Sequence, residues 1–321
     1  MRNYIIAKKE SFKQNFMPDR LISREKNNEK INHSIRLELL PVLHVFGRPG
    51  TGKTLVIKMI LKKHHPYKSV YVNCWEHGTY HQIFDEILRH SQIVVHEKES
   101  RISLLRKLRR TGKKLICLDE AEQISDIKVI LDLAQHSICL ILISNNRCFL
   151  SHADSKILEK LPREEIEFLR YSDDEILEIL KERADEGLRQ DSFDMKLLST
   201  ISKICDGDAR CAIQVLGIAA AKADELRKDK ISIDEVRYAI RCTIQHCRSF
   251  LLNKLNSHQK LLYEILKHDK CLPSGKLYRE YQKNMRETVT DRCYRKYMKG
   301  IVKLELAREI SSGRWKRFEI V

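Results

Sequence analysis

One octapeptide, Gly47-Arg-Pro-Gly-Thr-Gly-Lys53-Thr54, narrows the folding options of this 321-residue chain more than any other segment. It fits G-x-x-x-x-G-K-[ST], follows the short apolar stretch Val42-Leu-His-Val-Phe46 and leads into helical periodicity over Leu55–His64. Strand, glycine-rich turn and helix in that order form a phosphate-binding loop. Glycines let the backbone aim successive N–H groups at phosphate oxygens, and the helix start adds the positive end of its dipole. Gly47, Pro49, Gly50, Thr51 and Gly52 are therefore the expected cradle. Lys53 would reach the β- and γ-phosphates of ATP, and Thr54 would bind Mg2+.

A second buried stretch, Lys114-Leu-Ile-Cys-Leu-Asp119, ends in Asp119-Glu120, 66 residues after Lys53. Two carboxylates at the end of a strand suit the same site. Asp119 would hold the Mg2+, and Glu120 would orient and activate the attacking water. The next apolar run, Cys139-Leu-Ile-Leu-Ile-Ser144, is followed by Asn145, whose amide can bridge that water and the γ-phosphate.

These runs, with Ser69-Val-Tyr-Val-Asn-Cys74, alternate with helical patterns at Tyr80–His90, Arg101–Arg110 and Ile127–Ala134. Short apolar strands separated by helices predict a parallel sheet with crossover helices. Residues 1–40 read as polar and basic, ending in a helical stretch from Glu25. Beyond about residue 170 the strands stop, and helices are predicted at Asp173–Glu186, Asp194–Cys205, Ala209–Ala223 and Ile233–Thr243. From Ser249 the pattern changes again: helices at Ser257–His268, Lys276–Met285 and Thr290–Leu304, then two short strands flanking Ser311-Ser-Gly-Arg-Trp315. The expected division is a nucleotide-binding core over 1–169, a helical lid over 170–246 and a third domain over 247–321.

Charge points to a polyanionic partner. Lys and Arg number 60 against 44 Asp and Glu, a net of +16. Residues 241–321 hold 19 basic and 8 acidic residues, a net of +11, so the C-terminal quarter should carry the contact. The longest apolar runs, Leu115–Leu118 and Ile138–Ile143, are too short to span a bilayer, and the N-terminal residues lack a signal-peptide pattern. The 10 cysteines show no C-x-x-C spacing and suggest a reducing compartment. Cys242, His246 and Cys247 have no second ligand pair at zinc spacing, so no metal site is expected there.

The order of phosphate loop, D-E strand, strand ending in Asn and helical domain resembles the AAA+ ATPases. Further segments are similar to the Orc/Cdc-type DNA replication initiators, archaeal and eukaryotic. Pro18-Asp-Arg-Leu21-Ile-Ser-Arg24-Glu25 resembles their P-x-x-L-x-x-R-E box, and Tyr71-Val-Asn-Cys74 their Asn-Cys strand end. Phe168, Tyr171, Ile176, Ile179-Leu180 and Arg183 resemble the segment entering the lid. Asp206-Gly-Asp-Ala-Arg210 resembles the sensor-2 motif, and Asn256 to Leu266 with Leu277-Tyr278-x-x-Tyr281 the start of a C-terminal winged helix. The resemblance runs from about residue 18 to the end.

It implies an α/β AAA+ P-loop NTPase core with a parallel sheet, an all-helical lid and a winged-helix domain. It implies a sensor-2 role for Arg210, reaching from the lid to the γ-phosphate, and places Tyr171 and the Arg24–Glu25 region beside the adenine. One departure stands out. In many relatives an S-R-L segment before the F-x-x-Y stretch carries a trans-acting arginine finger. This chain has Glu159-Lys160-Leu161-Pro162-Arg163, so Lys160 becomes the candidate finger, with Arg163 nearby.

The C-terminal helix supplies its own reading. Arg292, Arg295, Lys296, Lys299 and Lys303 recur on a helix whose apolar stripe is Tyr294, Tyr297, Met298 and Ile301. With the preceding helix it makes a helix-turn-helix whose second helix would enter a major groove. Arg314 and Lys316, around Gly313 and Trp315, would form a basic wing on the phosphates. The run Arg106–Lys114 falls where initiator relatives carry a DNA-contacting insert, and serves either that purpose or as a solvated helix end.

The leading expectation is an ATP-dependent replication initiator that binds double-stranded origin DNA and recruits or loads the replicative helicase. Slow ATP hydrolysis would act as its switch. Further copies or paralogues on the same DNA are candidate partners, and a membrane is not. The alternatives are a DNA-binding protein with a structural, non-hydrolysed nucleotide, or another AAA+ machine such as a transposition regulator or clamp-loader subunit. Localisation follows source: cytoplasmic and nucleoid-associated if archaeal, which the compact length favours, or nuclear if eukaryotic.

Overall fold

The predicted strands pair as one parallel sheet. A computed structural model describes residues 4–37, 42–63, 68–97, 99–152, 161, 163–253, 255–285, 289–303, 306–312 and 315–320. The chain divides into two units, 1–236 and 237–321. In the first, β1 (Val42–Phe46), β2 (Ser69–Asn73), β3 (Leu115–Asp119), β4 (Cys139–Ser144) and β5 (Arg163–Glu167) lie in the order β2-β3-β4-β1-β5. Every neighbouring pair is parallel.

Strands β1, β3 and β4 are buried along their whole length, which is why they read as unbroken apolar runs. Their alternate residues feed two cores. Leu115 and Cys117 pack with Ile31 and Ile35 of α1 (Glu25–Leu37) and Val56, Ile57 and Ile60 of α2 (Lys53–Lys62). Ile116 and Leu118 pack on the other face with α3 (Tyr80–Arg89), α4 (Arg101–Arg110) and α5 (Lys128–His136). Of the basic run, Leu108 is buried on α4, while Arg106, Arg109 and Arg110 are exposed.

Strand β5 was not expected. Its sequence, Arg-Glu-Glu-Ile-Glu, has one apolar residue, because it is an edge strand that pairs only with β1. Charged edges discourage pairing with other chains. Here the charge is also matched: Glu165 accepts from Arg147 at 2.8 Å and Arg163 at 3.1 Å.

The helices of the first unit continue with α6 (Asp173–Gly187), α7 (Met195–Ile204) and α8 (Ala209–Glu225). Each starts at a side-chain cap: Ser172, Asp194 and Asp208 accept from backbone N–H groups of the first turn. The N-terminal residues, read from sequence as a polar lead-in, form a strap on these helices. Asp224 of α8 accepts from the Ile5 and Ile6 N–H groups at 2.6 and 3.1 Å, and Ile5 is fully buried. The apolar residues of the strap follow neither a helix nor a strand period, so nothing in its pattern announces it.

Helix α9 (Ile233–Asn253) carries the chain from the first unit into the second, ten residues past its expected end at Thr243. No glycine or proline interrupts it. The second unit contains α10 (Ser257–Asp269), β6 (Cys271–Pro273), α11 (Ser274–Asn284), α12 (Asp291–Lys303), β7 (Ala307–Ser312) and β8 (Trp315–Ile320). The strands form an antiparallel sheet in the order β6-β8-β7. Its first strand was missed in the sequence, being three residues long and ending in proline. Leu262, Tyr281, Tyr294, Met298, Ile301 and Phe318 share its core. No helix among the described residues is long and apolar enough to cross a membrane.

Candidate nucleotide site

The parallel register brings the functional ends of the strands together. The phosphate loop leaves β1, Asp119 ends β3, and Asn145 follows β4, which lies between them. A cavity of about 710 Å³ opens there. Gly50, Thr51, Gly52, Lys53 and Thr54 line it, as do Asp119 and Glu120, and Tyr171 and Arg210 line it from the lid side. Gly52 caps α2 with φ of +89°, and a Cβ there would lie 2.6 Å from the Tyr171 hydroxyl. Glycine is required on both counts.

Asp119 is pinned through both oxygens. Oδ1 accepts from the Glu120 N–H at 2.9 Å, and Oδ2 accepts from the Thr54 hydroxyl at 2.8 Å and the Tyr71 hydroxyl at 2.7 Å. The paired oxygens of Thr54 and Asp119 suit Mg2+, a hard cation that takes one or two protein oxygens and completes its shell with phosphates and water. Tyr71 carried no role in the sequence reading. Its hydroxyl is the third party at this carboxylate, and burial beside Asp119 keeps it protonated well above the usual phenol range.

Lys53 is buried and held by three oxygens: the Gly47 and Arg48 carbonyls at 2.6 and 2.9 Å and Asn145 Oδ1 at 3.2 Å. Burial pulls its ammonium down to about 8, against the opposing pull of Glu120, Asp119 and Glu122. Asn145 does not line the cavity but connects its charges, its amide donating to Glu120 at 2.9 Å and Glu122 at 3.0 Å. Glu122, two residues past the D-E pair, was missed in the sequence. Glu120 itself has φ of +53°, a left-handed backbone uncommon outside glycine that turns the chain sharply after β3.

Arg24 is the residue that the resemblance places beside the adenine. It is buried but is not among the residues lining the cavity. Its three nitrogens donate to main-chain carbonyls: Nε to Thr51 at 3.0 Å, Nη1 to Ser23 at 2.9 Å and Nη2 to Leu169 at 2.7 Å. Its guanidinium lies 3.7 Å from the centre of the Tyr171 ring. It braces the loop from behind and ties it to the segment that enters α6. Gly47 and Pro49 also lie off the cavity wall, at the start of the loop. Lys160 lies outside the described residues, as does Arg314. Arg163 is committed to Glu165.

Residues 41–149 match the AAA domain family, and residues 177–241 match the Cdc6 AAA+ ATPase-type lid domain. An ORC1-type DNA replication protein of Halobacterium salinarum is 25% identical, over 99% of this chain and 95% of its own length. One from Cenarchaeum symbiosum is also 25% identical, over 98% and 88%. These likenesses to Orc/Cdc6-type proteins run along nearly the whole chain. Among solved structures, the Aeropyrum pernix ORC1 protein in complex with DNA has the same fold, with a TM-score of 0.83 at 21% identity over 100% of this chain and 94% of that one. Cdc6p from Pyrobaculum aerophilum follows at 0.67 and 21%, over 98% and 94%. An AAA+ ATPase-type core and lid make a nucleotide-binding fold, and the cavity described above opens at its phosphate loop.

In the second unit, Arg292, Arg295, Lys296 and Lys299 are all exposed on α12, while Tyr294, Met298 and Ile301 are buried. Arg295 pairs with Asp291 at 2.6 Å. Lys316 on β8 pairs with Glu309 on β7 at 2.5 Å.

Proposed function

We propose that this protein is a DNA replication initiator that binds ATP and Mg2+ at the phosphate loop and origin duplex DNA through the second unit. The observation that carries this reading is the union, in one cavity, of the loop, the Asp119–Glu120 pair and Arg210 from the start of α8. Arg210 would reach the γ-phosphate and make lid position depend on nucleotide state. ATP supplies the triphosphate charge that Lys53 and Arg210 neutralise. Glu120, oriented by Asn145, would accept the proton of the attacking water, and turnover would be slow and switch-like.

The second unit would act as a winged helix, α12 entering the major groove and the β7–β8 hairpin touching phosphates. Helicase recruitment and assembly with further copies or paralogues on DNA belong to the same proposal, as does the division into core (1–169), lid (170–246) and DNA-binding domain (247–321). The relatives named above as DNA replication proteins, and the DNA complex of the Aeropyrum pernix protein, support this assignment.

Footprinting on genomic DNA with and without ATP tests it. Protection should concentrate at discrete duplex sites and change with ATP. Glu120→Gln should keep ATP binding, abolish turnover and hold the ATP-dependent footprint. Uniform protection that ignores both ATP and the substitution would defeat the proposal.

A further inference from the structure

The far end of the nucleotide cavity contains a charge that the phosphates do not explain. Helices α6 and α8 both begin at the phosphate loop. The Tyr171 hydroxyl lies against Gly52, and the Ala209 N–H donates to the Gly50 carbonyl at 3.2 Å. Along each helix, distance from the phosphates therefore grows with residue number. On α8 the cavity is lined first by Arg210, then by Ile213 and Gln214; on α6 it is lined by Ile179 and then by Arg183. At 1.5 Å per residue, Arg183 lies about 15 Å along α6 from its first residue.

Arg183 is only 5% exposed, and its Nε and Nη1 have no hydrogen-bond partner among the described residues. Its guanidinium lies 4.4 Å from the centre of the Phe16 ring, on the strap, which lines the same end of the cavity. Acidic neighbours on its own helix are engaged elsewhere: Glu182 accepts from Arg20 at 3.3 Å, and Glu186 from Lys8 at 2.5 Å. Buried donors without acceptors are rare, and charged ones rarer, because desolvation is not repaid. Nearer the phosphates, Ile179 and Ile213 offer apolar surface from both helices, which suits the flat face of a base. A cation stacked on an aromatic ring keeps its N–H edge free for an acceptor lying in its plane.

We propose that Arg183 recognises the base of the bound nucleotide, donating from its guanidinium edge to a ring nitrogen of the purine. This rests on the nucleotide reading above and adds a specificity residue to it. The contact is independent of the γ-phosphate, so ATP and ADP should depend on it equally. Phe16 would fix the plane of the guanidinium, which makes the N-terminal strap part of base selection.

Calorimetric titration of the full chain with ATP, ADP and the 1-deaza, 3-deaza and 7-deaza analogues of ATP tests the proposal without any substitution. Each analogue replaces one ring nitrogen by C–H. One of the three should bind about tenfold weaker or worse than ATP, the loss typical of a charged hydrogen bond. Arg183→Met should weaken ATP and ADP by a similar factor and no longer distinguish that analogue from ATP. Arg183→Lys, which keeps the charge over Phe16, should do the same while leaving the unliganded Tm within a few degrees. If all three analogues bind like ATP, or if both variants keep wild-type ATP affinity, Arg183 is a wall residue and the proposal fails. A wild-type chain that binds neither ATP nor ADP overturns the nucleotide reading itself, and this proposal with it.

Discussion

Asp208, the cap of helix α8, sits directly over Gly50 of the phosphate loop. A Cβ built on Gly50 would lie 2.0 Å from Asp208 Oδ1, and the adjacent Ala209 N–H donates to the Gly50 carbonyl at 3.2 Å. The lid therefore touches the loop through a position that only glycine can fill, since Gly50 also has φ of +77°. Gly50→Ala should push the start of α8 away and separate Arg210 from the loop. The expected result is ATP binding weakened at least tenfold with the loss of any ATP-dependent change in the lid, read by protease protection of residues near Arg210. Asp208→Ala should behave differently, losing the cap bond to the Cys211 N–H at 2.9 Å and costing about 1 kcal/mol of stability. Equal effects of the two substitutions on ATP affinity would contradict this geometry.

Lys53 gives nucleotide binding a pH dependence. Burial lowers its ammonium to about 8, and phosphate oxygens beside it would raise that value again. A group whose pKa rises on binding takes up protons, so ATP affinity should be level below about pH 7.5 and fall as pH rises through 8 and above. Titration calorimetry at pH 8.5 in two buffers of different ionisation enthalpy should register proton uptake, and at pH 6.5 very little. Lys53→Arg, with a guanidinium that stays charged, should remove the uptake. Proton release at pH 8.5 would contradict the assignment.

His44 makes a separate prediction, on stability. It is fully buried in β1, bonded through Nε2 to the Ser144 hydroxyl at 2.8 Å, and Nδ1 has no hydrogen-bond partner among the described residues. Burial brings it down to about 4, so it folds neutral. The unfolded chain binds the extra proton between the two values, and stability must fall as pH drops from about 6.5 toward 4. A shift of this size corresponds to about 3 kcal/mol. His44→Phe, which keeps a ring beside Phe46 and Phe149, should flatten that slope. Denaturant melts across the range check it, and an unchanged slope would show that His44 is not its source.

Legibility in the sequence followed burial. The strands β1, β3 and β4 announce themselves because both faces are covered, whereas β5 hides behind Arg163, Glu164, Glu165 and Glu167 at the sheet edge. The loop, Asp119, Glu120 and Asn145 are readable because phosphate chemistry restricts residue type at strand ends. Residue type alone does not single out Tyr71, Glu122 or Arg183, because what each one meets depends on neighbours from other strands or helices. Arg24 shows the converse case. A motif marked it as near the nucleotide, and its position is close, yet each of its three nitrogens donates to a main-chain carbonyl. Sequence placed the residue near the site without revealing which way it faces.

DNA binding by α12 yields a prediction in salt dependence. Arg295 and Lys299 are exposed one turn apart, next to the buried stripe of Tyr294 and Met298. Each phosphate neutralised by a side chain releases a counterion, and losing one such contact lowers the log–log salt slope by about 1. Arg295→Ala with Lys299→Ala should therefore weaken duplex binding at low salt and reduce the slope by about 2. Arg295 must give up Asp291 to bind phosphate, so Asp291→Ala should strengthen duplex binding modestly. The core of the second unit should be untouched, since neither basic side chain enters it, and its thermal melt should stay within a degree or two of wild type. A double variant with an unchanged slope would remove α12 from the DNA interface and move the search to the hairpin and to α4.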